Sequence, residues 1–83
     1  MRQIPMEVIT VFLDSWTDRV YFIGKTSGGD LYKVFTSKAA GSILDYGDMV
    51  DVPESIIGTS LCERISKSEY EKIYRECVKN RNR

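Results

Sequence analysis

Ser66 and its neighbours spell out a helix start, and that start divides the chain into two kinds of pattern. Ile65 precedes Ser66, Glu69 stands three positions on, and Tyr70 follows directly. As an N-cap, Ser66 accepts a hydrogen bond from the Glu69 amide, while the Glu69 carboxylate reaches back to the Ser66 amide. Ile65 and Tyr70 hold the N′ and N4 positions of a hydrophobic staple. Downstream, Tyr70, Ile73, Tyr74, Cys77 and Val78 recur at i, i+3, i+4, i+7 and i+8. That is one apolar stripe, with Glu71, Lys72, Arg75, Glu76 and Lys79 left for water. The pattern predicts a C-terminal helix over 66–80, whose basic end suits the negative pole of the helix dipole.

Upstream of Ser66 the period changes. Met6 to Leu13 is rich in β-branched and aromatic residues and reads as a strand, bounded by Pro5 and by Asp14-Ser15. Residues 14–19 read as a turn with Trp16 near its tip. Val20 to Thr26 and Leu31 to Thr36 read as two strands around Gly28-Gly29, which can supply the positive φ angles of a two-residue hairpin turn. That loop sets Phe22 against Phe35 and Ile23 against Val34. One face then holds Val20, Phe22, Leu31 and Phe35, and the other holds Arg19, Tyr21, Ile23, Lys25, Tyr32 and Val34.

Ser37 to Gly47 reads as a short helix, with Ser37 as N-cap, an apolar stripe of Ala40, Ile43 and Leu44, and Gly47 just past the end. Gly41 and Ser42 weaken it. Met49 to Val52, stopped by Pro53, and Leu61 to Ile65 read as two more short strands. The expected fold class is α+β: an antiparallel β-meander or small open barrel of four to five strands, β-rich over 6–65, packed on the C-terminal helix. Eighty-three residues make a single domain, 1–83. The strand order, and the entry into a strand at Gly47-Asp48, resemble small SH3-like and OB-like barrels. The resemblance rests on pattern alone, and it implies a binding role without identifying a ligand.

Formal net charge is zero but unevenly placed. Residues 1–65 hold six basic side chains against nine acidic, and residues 66–83 hold six against three. Such a chain has no whole-molecule field to attract nucleic acid or an anionic membrane, so an electrostatic partner must read a patch. No apolar run is long enough to span a bilayer, and Glu7, Asp14 and Asp18 interrupt any secretory leader. Cys62 and Cys77 are therefore expected as reduced, mostly buried thiols in a cytoplasmic protein.

The chain contains no histidine. Serine and cysteine nucleophiles lose their usual base, and the commonest metal ligand is missing. Two cysteines fifteen apart neither complete a zinc site nor fit a CxxC pattern. Gly24-Lys25-Thr26 matches the tail of a phosphate-binding loop, but Arg19 stands where the first glycine belongs and the segment reads as strand. The chain is expected to be non-enzymatic, with no cofactor and no metal.

Three features remain as binding candidates. Asp45, Asp48, Asp51 and Glu54 recur every third residue with no base between them. They read as a solvated acidic edge, as a cation site lacking the calcium-loop spacing, or as a patch that docks on a basic partner surface. Trp16 is either a cap over the end of a small barrel, the first expectation, or an anchor for a partner. The hairpin face mixes Arg19, Tyr21, Lys25 and Tyr32, a combination that suits stacked bases and phosphates, with Arg75 and Lys79 of the helix adding cations. The leading expectation is a small protein-binding accessory, regulator or inhibitor. It would use an exposed strand edge or the aromatic loop, through Trp16, Tyr21, Tyr32, Asp45, Asp48 and Asp51. Its partner would be another protein, with homodimerisation a further option. Single-stranded nucleic-acid binding is the alternative, and no membrane association is expected.

Overall fold

The computed structural model describes residues 2–81 and contains five strands and two α-helices. They run β1 (Gln3–Asp14), β2 (Arg19–Lys25), β3 (Leu31–Thr36), α1 (Lys38–Ile43), β4 (Met49–Pro53), β5 (Cys62–Ile65) and α2 (Lys67–Arg81), with a 3₁₀ turn at Glu54–Ile56. All strand pairs are antiparallel, in the order β4-β1-β2-β3-β5. The three longest strands form a meander at the centre. The segment carrying α1 crosses to one edge and the segment after β4 crosses back to the other. The sheet is open, so the α+β expectation is met by an open sheet of five strands and a C-terminal helix.

β1 begins earlier than the sequence suggests, with Pro5 inside it and paired to Asp51. The ladder to β2 starts only at Glu7 and Lys25. Pro5 therefore lies where β1 has a single neighbour, and its missing N–H can face the open side. Further on, the register with β2 shifts between Val8 and Thr10, which makes Ile9 an extra residue, a β-bulge. The bulge explains the continuous apolar run. Ile4, Met6 and Val8 before it, and Val11 after it, all serve the same face.

That face holds the main core. Met6, Val8, Phe22, Val34, Val52 and Cys62 are buried together, and Leu44, Ile56 and Ile57 from the crossing segments pack over them. On the opposite face Ile23 is fully buried and Ile65 nearly so. α2 follows β5 and packs against β1. Tyr70, Ile73, Cys77 and Val78 are half-buried, as the stripe requires, whereas Tyr74 stays exposed with its ring 6.1 Å from that of Tyr70. Ser66 caps α2 through its Oγ, which accepts from the Glu69 amide at 3.1 Å. The reciprocal bond of the capping box is not made, and Ser68 Oγ lies 3.3 Å from Ser66 Oγ instead.

Two local expectations are corrected. The hairpin loop has three residues, not two: the Thr26 amide donates to Asp30 O, the Gly29 amide to Thr26 O, and Gly29 alone adopts positive φ. This is a turn followed by a left-handed glycine, and Thr26 Oγ1 steadies it by accepting from the Asp30 amide. Register then shifts by one, to Phe22–Val34 and Tyr21–Phe35, and every β3 side chain changes face. The second correction concerns α1. Ser37 caps it, accepting from the Ala40 amide, but the helix ends at Ile43 and Gly47 belongs to the turn after it. Ile43 is exposed, and Gly41 is the residue turned to the sheet, against Val20.

Candidate functional site

No Asp, Glu, Lys or Arg is buried among the described residues, and no three Cys, Asp or Glu side chains among them gather as a cation site. Two shallow depressions of about 490 and 480 Å³ flank the 26–30 hairpin, and both open widely to solvent. In the first, Arg64 is held by Asp30 at 2.9 Å, and in the second Glu54 is held by Arg2 at 3.7 Å. The features that stand out are instead on the surface.

Trp16 is 95% exposed. The expectation that it caps a barrel end is overturned, because the sheet does not close and Trp16 covers nothing. It is nevertheless held by an ordered turn. The Asp14 carboxylate accepts from the Trp16 amide at 2.9 Å, and the Asp18 amide closes the turn onto Asp14 O at 2.8 Å. Asp18 adopts φ 54°, a left-handed position that aspartate tolerates better than most residues, and its carboxylate meets Lys38 Nζ at 3.3 Å. The Trp16 turn is thereby joined to the start of α1.

Topology gathers more apolar surface beside it. Leu13 pairs with Val20, Gly41 of α1 lies on Val20, and Ile43 follows two residues later. The next turn is pinned to the middle of β1, where the Gly47 amide donates to Val8 O and the Val8 amide to Asp48 O. Leu13, Ile43, Tyr46 and Met49 are all exposed. Trp16, Leu13, Ile43 and Tyr46 mark out a strip from the β1–β2 turn, along α1, to the turn before β4, while Met49, paired with Glu7, lies on the sheet face opposite Val50 and Val52. Val8 to Leu13 spans about 16 Å at strand rise. Large exposed apolar side chains set this near one another are the least ordinary feature of the described surface.

The acidic residues of this region divide by role. Asp48 Oδ2 accepts from the Asp45 amide at 2.8 Å, and the Asp48 amide bonds back to Asp45 O, so the pair builds the turn that displays Tyr46. Asp51 lies at the centre of β4, on the open sheet edge. Self-pairing of two β4 edges centred there would set like charges together, and Pro53 offers no donor, so this edge resists strand addition. The β5 edge is partly covered by Ile57 and Gly58, whose amide donates to Cys62 O.

The other predicted residues do not assemble as expected. Tyr21 is only 6% exposed. Its ring stacks on Phe12 at 5.7 Å and meets the edge of Phe35 at 5.9 Å, while Lys33 Nζ sits 4.9 Å from its centre. Arg19 lies over Phe35 at 5.7 Å. The two-residue loop read from the sequence puts Phe35 on the core face with Phe22, one residue out of register, and singles out neither Lys33 nor Phe12. Tyr32 faces the opposite side, packed on the core cluster. Arg19 and Lys25 stand at the two ends of β2, and Arg75 and Lys79 project from α2. The cations of the aromatic row already occupy its rings, which leaves little ring face for a base to stack on.

Compared with known proteins, the chain matches no family model, no curated protein and no solved structure. Among the described residues no helix is long and apolar enough to cross a membrane.

Proposed function

We propose that the chain is a small non-enzymatic protein-binding module, an accessory, regulator or inhibitor, that docks through the Trp16 turn and the apolar strip beside it. The observation that carries this reading is Trp16 itself, almost fully solvated yet fixed by backbone and carboxylate bonds. A tryptophan on an ordered turn forfeits little backbone freedom on binding, and tryptophan is among the residues that dominate interface energetics. Asp45 and Asp48 serve the surface by shaping the turn under Tyr46, and Asp51 guards the edge next to it. Tyr21 and Tyr32 support the sheet from within and are not assigned to the contact. The buried free thiol of Cys62 suits a reducing compartment such as the cytoplasm.

The test is affinity capture with three tagged proteins: the native chain, Trp16→Ala, and Tyr74→Ala on the distant α2 surface. Proteins captured by the native chain and by Tyr74→Ala should be lost with Trp16→Ala. Equal recovery by all three would remove the Trp16 surface from the function.

A further inference from the structure

We propose that the occupant of the Trp16 strip is a basic amphipathic segment of a partner protein, which lays its apolar side chains on Trp16, Leu13, Ile43 and Tyr46 and its lysines or arginines against the carboxylates beside them. This rests on the reading of the strip as a docking surface and adds the chemistry of what it holds.

The argument comes from the distribution of charge that remains once ion pairs are formed. Within residues 1–65, Asp18, Asp30, Glu54 and Glu63 are paired with Lys38, Arg64, Arg2 and Lys33. Glu7, Asp14, Asp45, Asp48 and Asp51 have no ion-pair partner among the described residues. Asp14 stands at the root of the Trp16 turn, and Asp45 and Asp48 stand on either side of exposed Tyr46. No lysine or arginine occurs between Lys38 and Arg64. The strip therefore carries acids without ion pairs at its Tyr46 end, with Lys38 engaged by Asp18 and Arg19, opposite Asp14 in the ladder, lying over Phe35. A neutral apolar partner would bury or crowd these carboxylates without compensation, whereas a cationic one supplies it.

The same charges argue against a second copy on this surface. A two-fold contact sets a patch against itself, so a second copy would bring no net positive charge to the acids beside the strip. Length is also defined. About 16 Å of strip corresponds to roughly three helical turns at 5.4 Å each, so a peptide of about 12 to 18 residues can cover it.

Trp16 is the only tryptophan, so its emission reports directly on burial of the strip. Two 18-residue peptides serve as probes, both helical with the same leucine face, one with lysine and one with glutamate on its polar face. At about physiological salt the Leu/Lys peptide should shift Trp16 emission to the blue saturably, and the Leu/Glu peptide should bind at least tenfold more weakly. Asp45→Asn and Asp48→Asn combined should weaken the Leu/Lys peptide at least fivefold, with the circular dichroism spectrum unchanged. If that variant loses its native spectrum, Asp45→Asn alone and a salt titration of the native chain carry the test, and binding that does not weaken with salt overturns the proposal. Equal binding of both peptides would overturn the charge assignment while leaving the docking surface in place. A blue shift produced by raising the protein concentration alone would assign the strip to a second copy and overturn the proposal. Binding of neither peptide, alongside Trp16-dependent capture of a protein partner, would overturn the basic segment and leave the docking role standing.

Discussion

Gly41 lies so close to Val20 that a Cβ built on it would stand 2.6 Å from Val20 Cγ1. The contact seats α1 on the sheet and thereby positions the Lys38 end beside the Trp16 turn. Alanine would gain about 1 kcal/mol of helix propensity over glycine. It would also force Val20 or the helix aside, at a cost of about 1–3 kcal/mol. The clash should win, so Gly41→Ala is expected to lower the urea midpoint. Val20→Ala removes the obstructing methyl groups, and in its background Gly41→Ala should turn neutral or stabilising. A double-mutant cycle without coupling would mean that α1 is not seated by this contact.

Ser66 carries the N-terminal cap of α2 without the return bond from Glu69. Ser66→Ala should therefore cost about 1 kcal/mol, the usual worth of a cap hydroxyl. Glu69→Gln should change little beyond its modest favourable charge near the helix N-terminus. Urea unfolding followed at a helical wavelength measures both. A large loss with Glu69→Gln would show that the carboxylate does more than the geometry provides.

The elements were legible in the sequence wherever the signal was local. Ser66, Ser37 and the stripe from Tyr70 to Val78 are read from spacing alone, and each stands where the spacing puts it apart from exposed Tyr74. What escaped depended on a single left-handed residue or on non-local contact. Gly28-Gly29 allows a two-residue or a three-residue loop, and only the choice between them decides whether Phe35 lies opposite Phe22 or opposite Tyr21. Trp16 looked like a cap because an apolar ring is expected to find cover, and nothing local says that the sheet stays open. Gly41 was discounted as a helix breaker because its value lies in the closeness of Val20, which no window of sequence contains. The candidate surface is thus half visible: Trp16, Asp45 and Asp48 by residue type, but Leu13, Ile43 and Tyr46 only once the topology is in place.

The row Phe12–Tyr21–Phe35 behaves as internal structure under its two cations. Tyr21→Ala should cost about 3–5 kcal/mol, the range for removing a buried ring. Tyr21→Phe keeps the stacking and should stay within about 1 kcal/mol. Because Lys33 and Arg19 are held over these rings, the native chain should show no saturable binding of labelled oligothymidine at low salt. Binding that weakens steeply as salt rises would restore the nucleic-acid reading.

Cys62 sits in the core cluster, and burial pushes its thiol above the ordinary value of 9.0. The folded chain thus holds the neutral thiol while the unfolded chain ionises first. This contribution to stability is complete below about pH 9 and falls as pH rises from there toward the folded pKa, by up to about 1.4 kcal/mol per unit. Urea midpoints measured between pH 8 and 10.5 should fall less steeply in Cys62→Val than in the native chain. In a Cys77→Ser background, thiol labelling should be slow in buffer and fast in urea. Rapid labelling without denaturant would place Cys62 outside the core.

Trp16 offers the cleanest separation of folding from contact. Its side chain covers nothing, and the bonds that fix its turn come from its own amide, from Asp14 and from Asp18. Trp16→Ala should therefore leave stability within about 0.5 kcal/mol, as expected for a surface change away from caps and core. In the isolated native chain the indole should emit like a fully solvated one and be quenched by iodide almost as readily as free tryptophan amide. Asp14→Ala removes the carboxylate that holds the Trp16 amide, so it should weaken partner capture without altering the emission. Shielding of Trp16 from iodide at micromolar protein concentration would show that its surface is already covered. A loss of 2 kcal/mol or more with Trp16→Ala would return the indole to a structural role and take the anchor away from the proposed function.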